Sequence, residues 1–318
     1  MSSPAIASAQ EIRAVNERYH DGAAAGYDAK WGIDYGEIGR GQVLGKVRKA
    51  LGGLRAYGRS LEVGAGTGYF SLNMQQAGVI DDAVCTDISP GMLDVLQANA
   101  DRLDLDVTTV ACGAEDLPFD DAEFDLVFGH AVLHHLPDLD RAFSEFRRVL
   151  RPGGRLFFAG EPSRYGDRIA DMPKRAAVAV APLWRRLMRA GPAEVGHSDG
   201  GEVNHRLEAL VDVHAFTPDQ LSRAARGAGL QDVKVRGEEL LANWFGWANR
   251  ALEATANPDE VPWAWKVYAF RGYLALQQVD RRLLEPRLPP AIFYNLIVSA
   301  TKSSGFNCTA SVQKRDSA

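Results

Sequence analysis

Short apolar runs alternate with segments of helical periodicity between residues 59 and 162. The apolar runs are rich in Val, Leu and Phe, and they predict strands at residues 60–63, 83–86, 107–110, 124–128 and 155–159. Between them, helical patterns cover residues 69–77, 90–100 and 139–150, and the triplet Pro152-Gly153-Gly154 predicts a turn. Strands that alternate with helices at this spacing favour a parallel sheet built from right-handed βαβ units.

Two longer segments interrupt this alternation. Residues 163–213 hold a basic apolar stretch and then a polar loop, and residues 242–290 are helical and rich in Trp. Between these segments, Thr217 is a good helix N-cap followed by a proline, and residues 233–235 predict a sixth strand. Residues 291–302 predict a closing seventh strand.

The composition is that of an ordinary globular protein. The chain has 318 residues, 46% of them hydrophobic, and its net charge of −5 does not favour a nucleic-acid partner. Three cysteines without a Cys-x-x-Cys pair argue against a disulfide framework or a zinc site, and they fit a reducing cytoplasm. The apolar run at residues 176–184 is far shorter than the ~20 residues that a membrane-spanning helix needs, so no integral membrane segment is expected.

A glycine-rich turn carries the sharpest functional signal. Gly64, Gly66 and Gly68 follow the first predicted strand and open a helix, in the spacing G-x-G-x-G. The dinucleotide fingerprint G-x-G-x-x-G would place a glycine where Tyr69 stands. Asp87 ends the second strand, close to the ~20-residue offset at which an acidic residue binds ribose hydroxyls. An ordinary strand–helix turn explains the glycines alone, whereas the glycines together with Glu62 and Asp87 favour a nucleoside ligand.

With these residues in view, the sequence resembles the class I S-adenosylmethionine-dependent methyltransferases, in the small-molecule branch that includes enzymes of ubiquinone and menaquinone biosynthesis. The resemblance covers residues 19–160 and 216–230. The motifs that carry it lie at residues 61–68 (LEVGAGTG), 86–93 (TDISPGML), 113–119 (GAEDLPF), 124–128 (FDLVF), 133–136 (LHHL) and 150–154 (LRPGG).

The resemblance implies a fold class, a domain division and a cofactor. The fold class is α/β, with a Rossmann-like, seven-stranded, mostly parallel sheet, helices on both faces and a helical cap. Residues 1–58 are expected to form an N-terminal helical lid. The methyltransferase core is expected to comprise residues 59–162, 214–241 and 291–310, and the cap insertions residues 163–213 and 242–290. The cofactor is S-adenosyl-L-methionine.

The resemblance also assigns residues to the cofactor. The glycines line its methionine and ribose, Glu62 anchors the amino group, Asp87 binds the ribose, and His130 lies near the transferred methyl. Many relatives carry Asp where this chain has Gly113, so adenine recognition rests more on the Ala114 amide and Glu115. The full set implied is Tyr19, Tyr27, Glu62, Gly64, Ala65, Gly66, Gly68, Asp87, Ile88, Met92, Ala114, Glu115 and His130.

Two histidines are candidates for catalysis. Methyl transfer is an in-line displacement, in which much of the rate enhancement can come from positioning. A general base helps when the acceptor is a hydroxyl, and His130 and His214 are the candidates, although each is also explained by a structural role. The residues His197, Asp199, His205, Asp212 and His214 could ligate a metal, but a polar loop over a cleft explains them as well, and no metal is predicted.

The predicted function is methyl transfer to a small, apolar or aromatic acceptor at oxygen, nitrogen or carbon. The Trp residues outside the core could line an acceptor site, or they could fill the core of the inserted helices. The alternative is a non-catalytic S-adenosylmethionine-binding partner subunit. An NAD(P) oxidoreductase is disfavoured by Tyr69, and a homo-oligomer is left open. The basic stretch at residues 174–189 could rest on a membrane surface, but the sequence favours a solvated face.

Overall fold

All seven predicted strands form and pair into one sheet in the computed structural model of the chain, which describes residues 8–193 and 214–304. The strands are β1 (Tyr57–Val63), β2 (Ile80–Asp87), β3 (Val107–Ala111), β4 (Phe124–His130), β5 (Leu150–Pro162), β6 (Gln231–Glu238) and β7 (Asn295–Thr301). Their order is β3-β2-β1-β4-β5-β7-β6, and only β7 runs antiparallel to its neighbours.

Ten α-helices form in the described part of the chain. They are α1 (Ala9–Ala23), α2 (Tyr27–Trp31), α3 (Glu37–Leu51), α4 (Tyr69–Gln76), α5 (Pro90–Leu103), α6 (Leu139–Val149), α7 (Arg164–Met188), α8 (Pro218–Gly227), α9 (Leu241–Glu253) and α10 (Trp263–Val279). Short 3-10 turns lie at residues 24–26, 133–135 and 290–292, and a π-helical turn follows α10 at residues 280–284.

Apolar side chains on both faces of the sheet bind these helices to it. On one face, α6 and α8 bury Phe143, Phe146 and Leu221 against the strands. On the other, α3, α4 and α5 contribute residues such as Val47 and Phe70. The predicted fold class, a Rossmann-like and mostly parallel α/β sheet with helices on both faces, is therefore confirmed.

The largest differences between predicted and observed strand boundaries lie at β5 and β7. The turn expected at Pro152-Gly153-Gly154 lies inside β5 as an irregularity, where pairing with β4 jumps from Leu150 opposite Phe124 to Arg155 opposite Leu126. The closing strand begins at Asn295 rather than at residue 291, because Pro289 and Pro290 have no N–H to donate to a sheet and start a 3-10 turn instead.

Six strands end at the same edge of the sheet, because β1 to β6 all run in one direction. The two insertions leave from this edge, since α7 follows β5 directly and α9 follows β6. They pack on each other around a separate apolar cluster that includes Ala181, Trp184 and Leu252. Trp184 also meets Trp265 of α10 edge to face, with ring centroids 5.2 Å apart. Among the described residues, no helix has the length and apolarity needed to cross a bilayer.

Candidate functional site

Two adjoining cavities open where β1, β2 and β4 end. They enclose about 720 and about 1220 Å³, counting space that is open to solvent. The first is lined by the glycine turn, Asp87 and residues 112–115, and the second by the glycine turn, Glu62 and aromatic side chains such as Tyr69. His130 and Tyr27 line both cavities, so the two are halves of one site.

The glycine turn presents bare backbone to this site at Gly66. Its φ of 52° lies in the left-handed region that side chains rarely adopt, and a Cβ placed there would meet nothing within 4 Å. The open space at Gly66 lets a ligand lie directly against the main chain. Gly64 and Gly68, by contrast, are needed for packing, because a Cβ at either position would collide with Val132 or with Leu96.

Asp87 holds the turn in place while keeping capacity for a ligand. One carboxylate oxygen accepts the Gly66 N–H at 2.8 Å, and the other accepts the Ser89 N–H at 2.9 Å. Burial raises the pKa of Asp87, and these backbone donors counteract the increase. An ionised carboxylate has about four lone-pair sites, so two such bonds leave acceptor capacity for hydroxyl donors in the cavity.

Glu62 is almost fully buried beneath the start of α4. Its carboxylate accepts the Ser71 N–H at 3.0 Å and also the Ser71 hydroxyl. Burial raises the pKa of Glu62 to about 8, the bonds from Ser71 oppose that increase, and the nearby Asp87 adds to it. A cationic group bound in this half of the cavity would favour the ionised carboxylate and lower that pKa.

Glu115 has an acceptor oxygen without a partner. The residue is 2% exposed, and its Oε1 is buried with no hydrogen-bond donor among the described residues. Its other oxygen lies 3.5 Å from Nε of Arg13 on α1 and 3.5 Å from where a Cβ of Gly113 would be. Because buried acceptors are normally satisfied, the free oxygen in the cavity wall indicates a position for a ligand donor.

The N-terminal helices cover the cavity from outside the sheet. Asp21 at the end of α1 accepts the Gly91 N–H at 3.0 Å and the Ser89 hydroxyl, at the first turn of α5. Tyr19 lies edge to face with His20, with ring centroids 5.1 Å apart, and His20 reaches His135 at 5.5 Å. These contacts hold α1 over the mouth of the site.

His130 lies at the end of β4 with its ring stacked on Phe70, with centroids 4.6 Å apart. Burial lowers the pKa of His130 to about 3, and the positive charge of Lys46 lowers it further. The imidazole is therefore neutral at physiological pH and a weak proton acceptor. Gly160 allows this placement, because its φ is 76° and a Cβ there would lie 2.6 Å from Nε2 of His130.

A buried ion-pair cluster lies behind the ring of His130. Lys46 of α3 contacts Glu238 at 2.6 Å and Glu239 at 3.6 Å, where β6 ends. Lys49, one turn further along α3, contacts Glu238 at 2.9 Å. The two lysines hold the pKa of Glu238 at about 2 in spite of its burial. The cluster ties α3 to β6 and the start of the second insertion.

Glu161 is the clearest site residue that the sequence analysis missed. Its fully buried carboxylate accepts the N–H groups of Val132, Leu133 and His134 at 3.0, 3.1 and 3.2 Å, and its Oε2 is 2.9 Å from Nδ1 of His134. These bonds shape the loop between His130 and α6, which forms one wall of the cavity. An acidic residue within an otherwise apolar strand end is the sequence signal that could have identified it.

Most residues predicted to bind a cofactor line the two cavities. These are Tyr19, Tyr27, Glu62, Gly64, Ala65, Gly66, Asp87, Ile88, Ala114, Glu115 and His130. Two predicted residues do not line either cavity. Met92 is 1% exposed within the core, and Gly68 packs against Leu72 and Leu96.

His214 lies away from the cavity that contains His130. It lines a different depression between α6 and α8, and its Nε2 is 3.1 Å from the carbonyl oxygen of Leu136. Burial lowers the pKa of His214. The other residues of the metal alternative, His197, Asp199, His205 and Asp212, lie outside the described residues. Within residues 8–193 and 214–304, no cluster of three or more metal-ligating side chains occurs.

Comparisons with known proteins agree with this geometry. Residues 61–158 match the family described as methyltransferase domain. The chain is 38% identical over 141 residues to malonyl-[acyl-carrier protein] O-methyltransferase of Methylococcus capsulatus, covering 43% of this chain and 48% of that protein. It is 40% identical over 194 residues to 27-O-demethylrifamycin SV methyltransferase of Amycolatopsis mediterranei, covering 56% of this chain and 65% of that protein. The chain thus spans about half to two thirds of the length of these relatives.

A solved structure shares the fold over nearly the whole chain. Phosphoethanolamine N-methyltransferase 2 of Haemonchus contortus, in complex with S-adenosyl-L-methionine, superposes with a TM-score of 0.57 at 16% identity. The match covers 94% of this chain and 61% of that one. The resemblance to class I methyltransferases that the motifs predicted is confirmed by these comparisons.

Glu161→Gln should destabilise the protein by about 1–3 kcal/mol, because one carboxylate oxygen is replaced by an amide that cannot accept the N–H groups of the loop. The free energy of unfolding in urea measures this, and faster hydrogen exchange at residues 132–134 locates it. Glu17→Gln is the matched control, since Glu17 is exposed in the middle of α1 and should change stability by less than about 0.5 kcal/mol. Equal stability of the two variants would show that Glu161 does not shape the loop.

Proposed function

We propose that the chain is an S-adenosylmethionine-dependent methyltransferase that acts on a small apolar or aromatic acceptor. The observation that carries the proposal is the cavity at the ends of β1 and β2, where bare backbone at Gly66 meets three buried carboxylates, those of Glu62, Asp87 and Glu115. A nucleoside with an amino-acid chain carries hydroxyl and amino groups that could donate hydrogen bonds to these carboxylates.

Each carboxylate has a complementary group on the proposed cofactor. Asp87 would accept the ribose hydroxyls with the capacity that Gly66 and Ser89 leave free. Glu62 would lie near the amino group, whose positive charge would offset the cost of burying an anion. The Glu115 carboxylate would accept from the adenine amine, since its Oε1 has no partner among the described residues and its Oε2 lies beside the vacant Cβ position of Gly113.

The acceptor would enter the second half of the site, beneath the N-terminal helices. Tyr19, Trp31, Tyr69 and Phe70 line that half, and aromatic walls suit an apolar or aromatic molecule. The N-terminal helices would act as the lid, and the packed insertions as the cap. Both curated relatives are named for transfer to oxygen, which favours oxygen as the acceptor atom.

The chain contributes mainly positioning to the proposed reaction. The bound cofactor supplies an electrophilic methyl on a sulfonium, and in-line displacement needs the acceptor held opposite the departing sulfur. The pKa of about 3 makes His130 a poor general base in the closed site, and its stacking on Phe70 makes it a rigid part of the wall. His214 lies in another depression and is not assigned a part in the reaction.

S-adenosylmethionine and S-adenosylhomocysteine should bind the purified chain, and NAD should not. The reason is that the cavity offers a hydrogen-bond acceptor, Glu62, for the amino group of an amino-acid chain, which NAD lacks. Isothermal titration with each ligand tests this, and binding of NAD alone would contradict it. A metabolite comparison between a deletion strain and wild type then seeks a compound in the deletion strain that is lighter by one methylene than its wild-type counterpart. Tight cofactor binding without any such product would support the alternative, a non-catalytic partner subunit.

Asp87→Ala should weaken S-adenosylhomocysteine binding roughly 10- to 150-fold, because charge-assisted hydrogen bonds of about 1.5–3 kcal/mol to the ribose are lost. Asp81→Ala, at an exposed position of the same strand, should leave the dissociation constant unchanged. Circular dichroism and thermal melting of both variants establish that they fold. Equal dissociation constants for the two variants would show that Asp87 does not bind the ligand.

Binding of S-adenosylhomocysteine at pH 7 should release about one proton from the protein, because Glu62 is mostly protonated below its pKa of about 8 and ionises beside the ligand's ammonium group. Titration calorimetry in two buffers of different ionisation enthalpy counts the protons. Glu62→Gln should bind without this release. A wild-type protein that releases no proton would argue against contact between Glu62 and the amino group.

A further inference from the structure

Helix α7 exposes an apolar stripe along its full length. Met172, Leu183 and Leu187 are 64%, 62% and 68% exposed, which is unusual for large apolar side chains in a folded protein. The stripe follows the helical period, with one side chain every three or four residues. Its members are Tyr165, Ile169, Met172, Ala176, Val180, Leu183 and Leu187.

The other side of α7 is anchored, so the stripe cannot turn inward. Ala177, Ala181 and Trp184 point toward α9 and are buried with Leu252 and Val261 of the second insertion. At 100° per residue, these positions lie about 80° to 140° from the centre of the stripe. The helix therefore has two apolar faces, of which one packs on the protein and one faces solvent.

From residue 172 onward, the charges beside the stripe have one sign. Residues 172–193 contain no Asp or Glu, and their charged residues are Lys174, Arg175, Arg185, Arg186 and Arg189. Arg175 and Arg186 share one border of the stripe with Arg168 of the preceding turns. Asp167 and Asp171 lie nearer the start of the helix, at 3.7 and 3.9 Å from Nζ of Lys174, and Asp171 also lies 3.7 Å from the guanidinium of Arg175. The exposed surface from residue 172 onward is thus apolar and cationic.

We propose that this face of α7 docks on an anionic lipid surface, with the stripe in the interface and the arginines on the lipid phosphates. Such a combination of a cationic border and an apolar face is what interfacial helices use. A second copy of the chain fits less well, because a two-fold interface places the same surface against itself and would oppose one cationic border with another.

Docking at this helix would bring the membrane close to the candidate site. Helix α7 starts directly after β5, at the edge of the sheet where His130 faces the cavity. An apolar acceptor could then reach the site from the lipid without crossing water. The sequence analysis favoured a solvated face for this stretch. The basic residues can be read from the sequence, but the outward orientation of the apolar residues cannot.

Co-sedimentation with vesicles tests the docking with the full chain and without any activity measurement. The chain should sediment with vesicles of equimolar phosphatidylcholine and phosphatidylglycerol and remain free with phosphatidylcholine alone. High salt should weaken the binding, because the charges on both sides are exposed. Arg175→Ser with Arg186→Ser should weaken it on the order of tenfold or more, given the contribution of a basic residue near an anionic surface.

Leu183→Glu with Leu187→Glu should abolish sedimentation, and Leu283→Glu, at an exposed position outside α7, should sediment like wild type. Unchanged thermal melting shows that the variants fold. Wild-type protein that stays free with anionic vesicles would overturn the proposal, as would α7 variants that bind normally. A dimer in analytical ultracentrifugation that the Leu183 and Leu187 changes dissociate, with no vesicle binding, would assign the face to a second copy. S-adenosylhomocysteine binding by the same samples tests the proposed function separately.

Discussion

Buried carboxylates that accept backbone N–H groups hold the candidate site together. Where the parallel strands end, each loop or helix start has N–H groups that the sheet cannot satisfy. Glu62 accepts from the start of α4, Asp87 from the glycine turn and Ser89, Glu161 from residues 132–134, and Asp280 from the start of α9. The cavity walls at Glu62, Asp87 and residues 132–134 depend on these bonds, because apolar packing alone does not orient a loop backbone. Asp280 does the same for the start of the second insertion.

This arrangement places negative charge where water is excluded, and the pKa values show its cost. Burial raises the pKa of Glu62, Asp87 and Asp280, although N–H donors counteract the effect in each. A ligand that brings hydroxyl and ammonium donors to the same oxygens would satisfy them further. In the proposed function, Glu62 and Asp87, which line the cavity, would accept from a nucleoside with a cationic tail as well as from their own loops.

The features that could be predicted from the sequence are those that hydrophobic periodicity and motif spacing determine. The strands from residue 60 to residue 159 and the helix starting at Tyr69 follow from apolar patterns, and Asp87 follows from its distance to the glycine turn. Which way a loop residue faces does not follow from a pattern, and His214 illustrates this, since it lines a separate depression. Glu161 was missed because its partners are backbone N–H groups, which no motif encodes, so that only its acidic character at the end of an apolar strand indicates it.

The position of the insertions follows from the same topology. In a parallel sheet the chain leaves every strand at the same edge, where the carboxyl ends of the strands lie. Segments that follow β5 and β6 therefore start beside the cavity. They can pack on each other because both start at that edge, and Trp184 and Trp265 meet as a result. Once α9 covers one side of α7, the opposite side must face outward. The core formed by the described residues does not include the apolar stripe there, and this is the face that we propose docks on a lipid surface.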